Sequence, residues 1–133
     1  MGAADLLWGD LEAGRAGEQV ALRLMVWALL WLGLALAGLW RAQPLRWRAF
    51  WLMSGGWALI NGIIALWGLL APPAELDYLR QVLWINAVLD LGYLALAVGL
   101  MRRSQPMQQG FGQAIAIQGL FLLLFDLGHA LNL

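Results

Sequence analysis

Val82–Met101 reads VLWINAVLDLGYLALAVGLM, and Phe111–Leu131 reads FGQAIAIQGLFLLLFDLGHAL. Each stretch is close to the roughly 20 residues that a bilayer's hydrocarbon core requires of a helix. Each is interrupted by one carboxylate, Asp90 or Asp126. In lipid such a segment has to be helical, because a strand would leave its backbone polar groups unpaired. A carboxylate at the centre of a membrane helix costs about 2.5–3.5 kcal/mol on the insertion scale. The two aspartates therefore mark either a working polar site or a structural pair.

Two further apolar segments precede them, Val20–Leu39 and Ala49–Leu70. Short links join the four segments, with prolines at Pro44, Pro72, Pro73 and Pro106. Links this short imply antiparallel neighbours. The expected fold is all-α: an integral membrane four-helix up-down-up-down bundle over residues 20–133, with helices near 20–39, 49–70, 82–101 and 111–131. Residues 1–19 form an extramembrane or interfacial segment, and an amphipathic helix over residues 3–13 is one candidate for it. Composition agrees with a membrane protein: 62% of residues are hydrophobic and 12% charged, against roughly 45–50% and 25% in soluble domains.

The net charge is zero and there is no cysteine. The first leaves no basic surface for nucleic acid, and the second excludes disulfides and thiolate metal sites. The acidic N-terminal stretch does not fit a secretory signal. Arginine supplies all eight basic residues, and five of them lie in the first and third links: Arg41, Arg46, Arg48, Arg102 and Arg103. By the positive-inside rule both termini then face outward. Trp40, Trp47, Trp51 and Trp84 fall near the expected interfaces, as an aromatic belt would. Gly33 to Ala37, Ala58 to Gly62 and Ala95 to Gly99 are small-xxx-small steps that permit close helix contact.

The polar residues of three segments share faces and levels. Asn86, Asp90 and Tyr93 are spaced four and three apart; Gln118, Asp126 and His129 trace one face of segment four; Trp57 and Asn61 are four apart on segment two. At about 1.5 Å per residue, Asp90 lies about 12 Å, Asn61 about 13 Å and Asp126 about 8 Å below the outer boundary. These residues outline a polar pocket in the outer half of the bundle, floored by Tyr93 and Gln118. Duller roles compete. Asn61, Asn86 and Gln118 also suit interhelical hydrogen bonding. His129 suits a bond to the Asp126 carboxylate. Arg23, near the same level on segment one, suits an ion pair with Asp126 that would make the whole cluster structural.

The strings Asn86-Ala-Val-Leu-Asp90-Leu-Gly-Tyr93 and Gln118-Gly-Leu-Phe-Leu, continuing to Phe125-Asp126, together with Gly56-Trp57 and Asn61, resemble an uncharacterised bacterial family of small four-helix integral membrane proteins. The resemblance covers roughly residues 50–130. It implies a bacterial inner-membrane setting and carries no activity with it. His129 and Asn132 fall outside its motifs.

The leading expectation is a small membrane protein that binds or transports a proton, a cation or a small polar or amine ligand. Asp90 and Asp126 are its charged centre, with Asn61, Asn86, Tyr93, Trp57, Gln118 and His129 around them. The alternative is a structural or accessory membrane subunit whose buried polar groups serve packing and oligomerisation. No nucleophile–base pair appears, so an enzymatic role is the least favoured. No cofactor is expected, no metal-ligand spacing stands out, and the expected partners are membrane lipids, a second copy of the chain or a larger membrane complex.

Overall fold

The computed structural model describes residues 3–41, 43–72 and 75–133, with side chains from residue 15 onward. Four helices account for nearly all of them: α1 (Ala3–Trp40), α2 (Leu45–Leu70), α3 (Leu76–Met101) and α4 (Pro106–Asn132). All four contain stretches long and apolar enough to cross a membrane. Each helix runs beyond its expected apolar segment. A 26-residue helix such as α2 measures about 39 Å, longer than the roughly 30 Å core, so its ends lie in polar surroundings where Arg and Gln continue a helix readily. The helix runs without a break from Ala3 into the first apolar segment. The amphipathic faces expected over residues 3–13 lie outside the described side chains.

Local chemistry sets the ends. Extended Pro44 precedes α2 and accepts from the Trp47 and Arg48 amides at 3.1 Å. Ala71 is extended after Leu70, and Pro72 follows it, where a helix cannot easily continue. Pro106 opens α4 at the position where a missing N–H costs nothing. The Gln43 side-chain amide donates to the Gly38 carbonyl, which also accepts from the Arg41 amide at 3.3 Å at the end of α1.

Glycine and alanine hold the helices together. Along the α1–α2 seam, Ala21 meets Gly68, Ala28 meets Gly62 and Ala35 meets Gly55. A Cβ at those glycines would lie 3.2, 3.7 and 3.3 Å from the facing alanine Cβ. Gly38 lies directly under the Trp51 ring. Residue numbers rise on α1 as they fall on α2, so the pair is antiparallel. The same holds for α3 and α4, where a Cβ at Gly112 would approach the Ala97 carbonyl oxygen to 2.8 Å and one at Gly119 would touch Leu94 at 3.4 Å.

The expectation of antiparallel neighbours alone needs correction. α2 also packs along α4, and these two run parallel: Gly110 sits against the Arg46 carbonyl and Ala49, and Arg46 Nε donates to Gln113 Oε1 at 3.1 Å. The packing order is α1, α2, α4, α3, with α1 and α3 touching lightly. Gly110 has no side chain to hold the two backbones apart. Two small-xxx-small steps are also not used as expected, since Gly33 and Gly99 have open space beside them. Trp51 packs against Gly38 and Phe50 inside the seam rather than joining an aromatic belt, whereas Trp40, Trp47 and Trp84 are exposed.

The distribution of side chains is inverted relative to a soluble bundle. Val26, Ile63, Val88 and Leu124 are each more than 60% exposed, while Ser54, Asn61, Asp90, Gln118 and Asp126 are buried. A continuous apolar exterior of this kind is at home in lipid, where burying aliphatic groups brings no hydrophobic gain.

Close α2–α4 packing makes Gly110 sensitive. Gly110→Val should lower stability by about 1–3 kcal/mol through overpacking against the Arg46 backbone, read as a fall in melting temperature in detergent. Gly92→Ala, which meets no atom within 4 Å, should leave the melting temperature unchanged or slightly raised. Equal tolerance at both positions would contradict the α2–α4 contact.

Candidate functional site

The i, i+3, i+4 spacing of a helix places Asn86, Asp90 and Tyr93 on one stripe of α3, and Leu122, Phe125 and Asp126 on one stripe of α4. Trp57 and Asn61 present a third stripe from α2. These stripes converge on a cavity of about 110 Å³, closed on the α1 side by Leu24. Asp90 and Asn61 are each 2% exposed and Asp126 6%. The Trp57 and Tyr93 rings meet edge to face with centroids 5.0 Å apart, forming an aromatic wall between α2 and α3.

The carboxyl groups of Asp90 and Asp126 lie within hydrogen-bonding reach of each other. Asp90 Oδ2 has no donor, and the Asn61 Nδ2 amide has no acceptor. A carboxylate only accepts, so contact between two of them becomes a hydrogen bond only when one carries a proton. Two ionised carboxylates at such range repel strongly, and a proton or cation between them removes the conflict. The cavity therefore offers two carboxyl groups, an unpaired amide donor and amide oxygens, with room for water or a small polar group. Among the described residues no three His, Asp or Glu side chains gather into a metal-binding cluster.

Arg23 does not fill this space. Its Nη1 lies 2.8 Å from His129 Nε2, and His129 Nδ1 lies 2.8 Å from the Phe125 carbonyl. An arginine can only donate and a carbonyl can only accept, so His129 is neutral with its proton on Nδ1. The expected Arg23–Asp126 ion pair is replaced by an Arg23–His129 hydrogen bond. The expected His129–Asp126 bond gives way to one with the backbone. Among the described residues the ion pair that forms is Arg80 with Asp77, 3.4 Å apart on the surface.

Gln118 is also displaced from the expected floor. Its Oε1 accepts from Trp27 Nε1 at 2.8 Å, and Trp27 stacks on Phe121 at a centroid distance of 3.5 Å. Gln118 shares a helical stripe with Asp126 but lies about 12 Å further along it. Leu122 occupies the turn between them, and the Trp27–Phe121 stack packs beside it. A shared face is not a shared level. Sequence reasoning missed the apolar walls of the cavity, Leu24, Ile64, Leu89, Leu122 and Phe125. On α2, α3 and α4 the signal was available, since Ile64, Leu89, Leu122 and Phe125 sit one helical step from the polar residues already singled out.

No match is found among curated proteins or among solved structures. A family model does match, over residues 23–127. It takes in α1 from Arg23 onward, further toward the N-terminus than the resemblance near residue 50, and it includes the whole aspartate cavity while ending before His129. With most of its length covered, the chain belongs to the family described as "Family of unknown function (DUF6992)".

Proposed function

We propose that this protein is a multi-pass protein of a bacterial inner membrane that binds, and passes on, a proton, a small cation or an amine at the Asp90–Asp126 pair. The observation that carries this reading is the combination of two carboxyl groups in contact with unpartnered polar atoms around a cavity. A purely structural pair is expected to have its lone pairs satisfied by neighbouring side chains. Here Asp90 Oδ2 lacks a donor unless a proton joins it to Asp126, and Asn61 Nδ2 lacks an acceptor, which a water or an oxygen of a polar ligand would supply. A cation or protonated amine would bridge the carboxyl groups, with the Asn61 and Asn86 oxygens as further acceptors. The Trp57–Tyr93 wall would give an amine an aromatic face.

The alternative is a structural or accessory subunit, and one contact favours it. The Trp27–Gln118 bond joins α1 to α4 without lining the aspartate cavity, so at least one buried polar group serves packing. Asp90→Asn with Asp126→Asn in proteoliposomes separates the readings. Losing charge-assisted bonds to a cation should reduce binding or flux about 10–100-fold, while circular dichroism still reports a folded bundle. Unchanged flux in the double variant would sink the transport reading. A fall in melting temperature and assembly, with no flux even in the native chain, would support the alternative.

Five arginines at the end that holds the first and third links support an orientation with both termini outside. A periplasmic alkaline phosphatase reporter fused after Leu133 should be active, and one inserted in the 102–105 link inactive. The opposite pattern would reverse the orientation.

A further inference from the structure

A second cleft, of about 530 Å³, opens between α1 and α4 at the end where α4 terminates. It is lined by one stripe of each helix. Gln19, Val20 and Arg23 come from α1, and Phe125, Gly128 and His129 from α4. Phe125 lines both this cleft and the aspartate cavity, so the two adjoin at this residue. Below this level the Trp27–Phe121 stack holds α1 against α4.

We propose that this cleft binds a phosphate-bearing anion through Arg23. The guanidinium has five donors in a fixed fork, and one nitrogen is engaged by His129. Neutral His129 is fixed by its own bond to the Phe125 carbonyl and therefore aims Arg23 without cancelling its charge. An aspartate or glutamate in that position would have cancelled it. Among the described residues no side-chain carboxylate lines the cleft; Glu18 is exposed and off its face, and the main-chain oxygen of Leu133, at the cleft's edge, accepts from Arg80. Among the described residues the Gln19 side chain has no hydrogen-bond partner and its amide can donate to the same anion, while Asn132 Nδ2 is committed to the Gly128 carbonyl at 2.6 Å.

The charge belongs to a position where an anion is the natural partner. Arg23 stands in the first turn of the apolar segment that starts at Val20, and a cation there needs an anion or a route to the headgroups. Arginine meets phosphate oxygens two at a time, which favours phosphate over a simple anion. The cleft walls beside it, Val20, Leu124 and Phe125, continue the apolar exterior. That surface suits the acyl chain of a phospholipid, although a free phosphate would satisfy the same donors.

The test uses the full chain in dodecyl maltoside with calorimetric titration of dioctanoyl phosphatidylglycerol, dioctanoylglycerol and inorganic phosphate. Saturable binding of phosphatidylglycerol, weakened about tenfold by Arg23→Gln, is the expected result. Gly128→Leu provides a second variant that leaves the charge intact. Gly128 has open space beside it, so a leucine there should fill the cleft and block binding without disturbing the bundle. Binding of phosphatidylglycerol without binding of inorganic phosphate supports a lipid headgroup as the source. Competition by inorganic phosphate supports a free phosphate. Binding of dioctanoylglycerol as tight as that of phosphatidylglycerol, or native affinity for both phosphate probes in both variants, would overturn the proposal.

Discussion

A polar group placed in hydrocarbon has no water to turn to, and this constraint orders the whole bundle. Asp90, Asp126, Asn61, Gln118 and Ser54 are buried inside, while leucine, isoleucine and valine cover the exterior. Aliphatic side chains gain little by meeting each other when lipid tails are just as apolar. The cohesion of the helices must then come from close contact, and close contact needs small residues. The Ala21–Gly68, Ala28–Gly62 and Ala35–Gly55 pairs supply it between α1 and α2, and Gly110 and Gly112 between α4 and its two neighbours. Bringing α2 and α4 together at Gly110 is what carries Asn61 to the level of Asp126. The polar centre depends on packing made roughly three to four turns away.

Burial alone does not distinguish the buried polar groups, but their partners do. Gln118 is fully buried and gives its oxygen to Trp27 in a contact that joins two helices, while its Nε2 is unpaired away from the aspartate cavity. Ser54 is fully buried with its hydroxyl unpaired, and nothing else in the structure explains it. Asp90 and Asn61 are equally deep, yet their free atoms face a cavity shared with a second carboxyl group. The inference of a ligand rests on that difference, between unpaired atoms that stand singly and unpaired atoms gathered around one cavity.

Much of this was legible in the residues. Length and apolar content gave four helices, and the 3.6-residue repeat put Asp90 with Asn86 and Tyr93, and Asp126 with Gln118 and His129. What periodicity cannot convey is which helix faces which. Gln118 was assigned to the pocket because it lies on the same stripe as Asp126, but the stripe is longer than the pocket. Arg23 was paired with Asp126 because the two share a depth and have opposite charge. The structure turns Arg23 toward His129 instead, one turn beyond the aspartate. The parallel α2–α4 contact was hidden for a related reason, since link length constrains consecutive helices and says nothing about the second and fourth.

The chain has no net charge, yet within the bundle opposite charges do not cancel in pairs. A pair of carboxyl groups sits on one side of Phe125 and an arginine on the other, and a neutral histidine occupies the place where a direct ion pair would have formed. Joining Arg23 to Asp126 would have been the simple way to neutralise both, and it would have closed both sites. On the proposed readings, keeping them apart leaves a carboxyl-lined cavity and an arginine-bearing cleft for partners of opposite sign. Phe125 borders both with its aromatic ring or backbone. On the proposed reading, any movement of that ring would couple the occupancy of one site to that of the other. The Phe125 carbonyl, which fixes His129 and through it Arg23, already ties the two sites to the same residue.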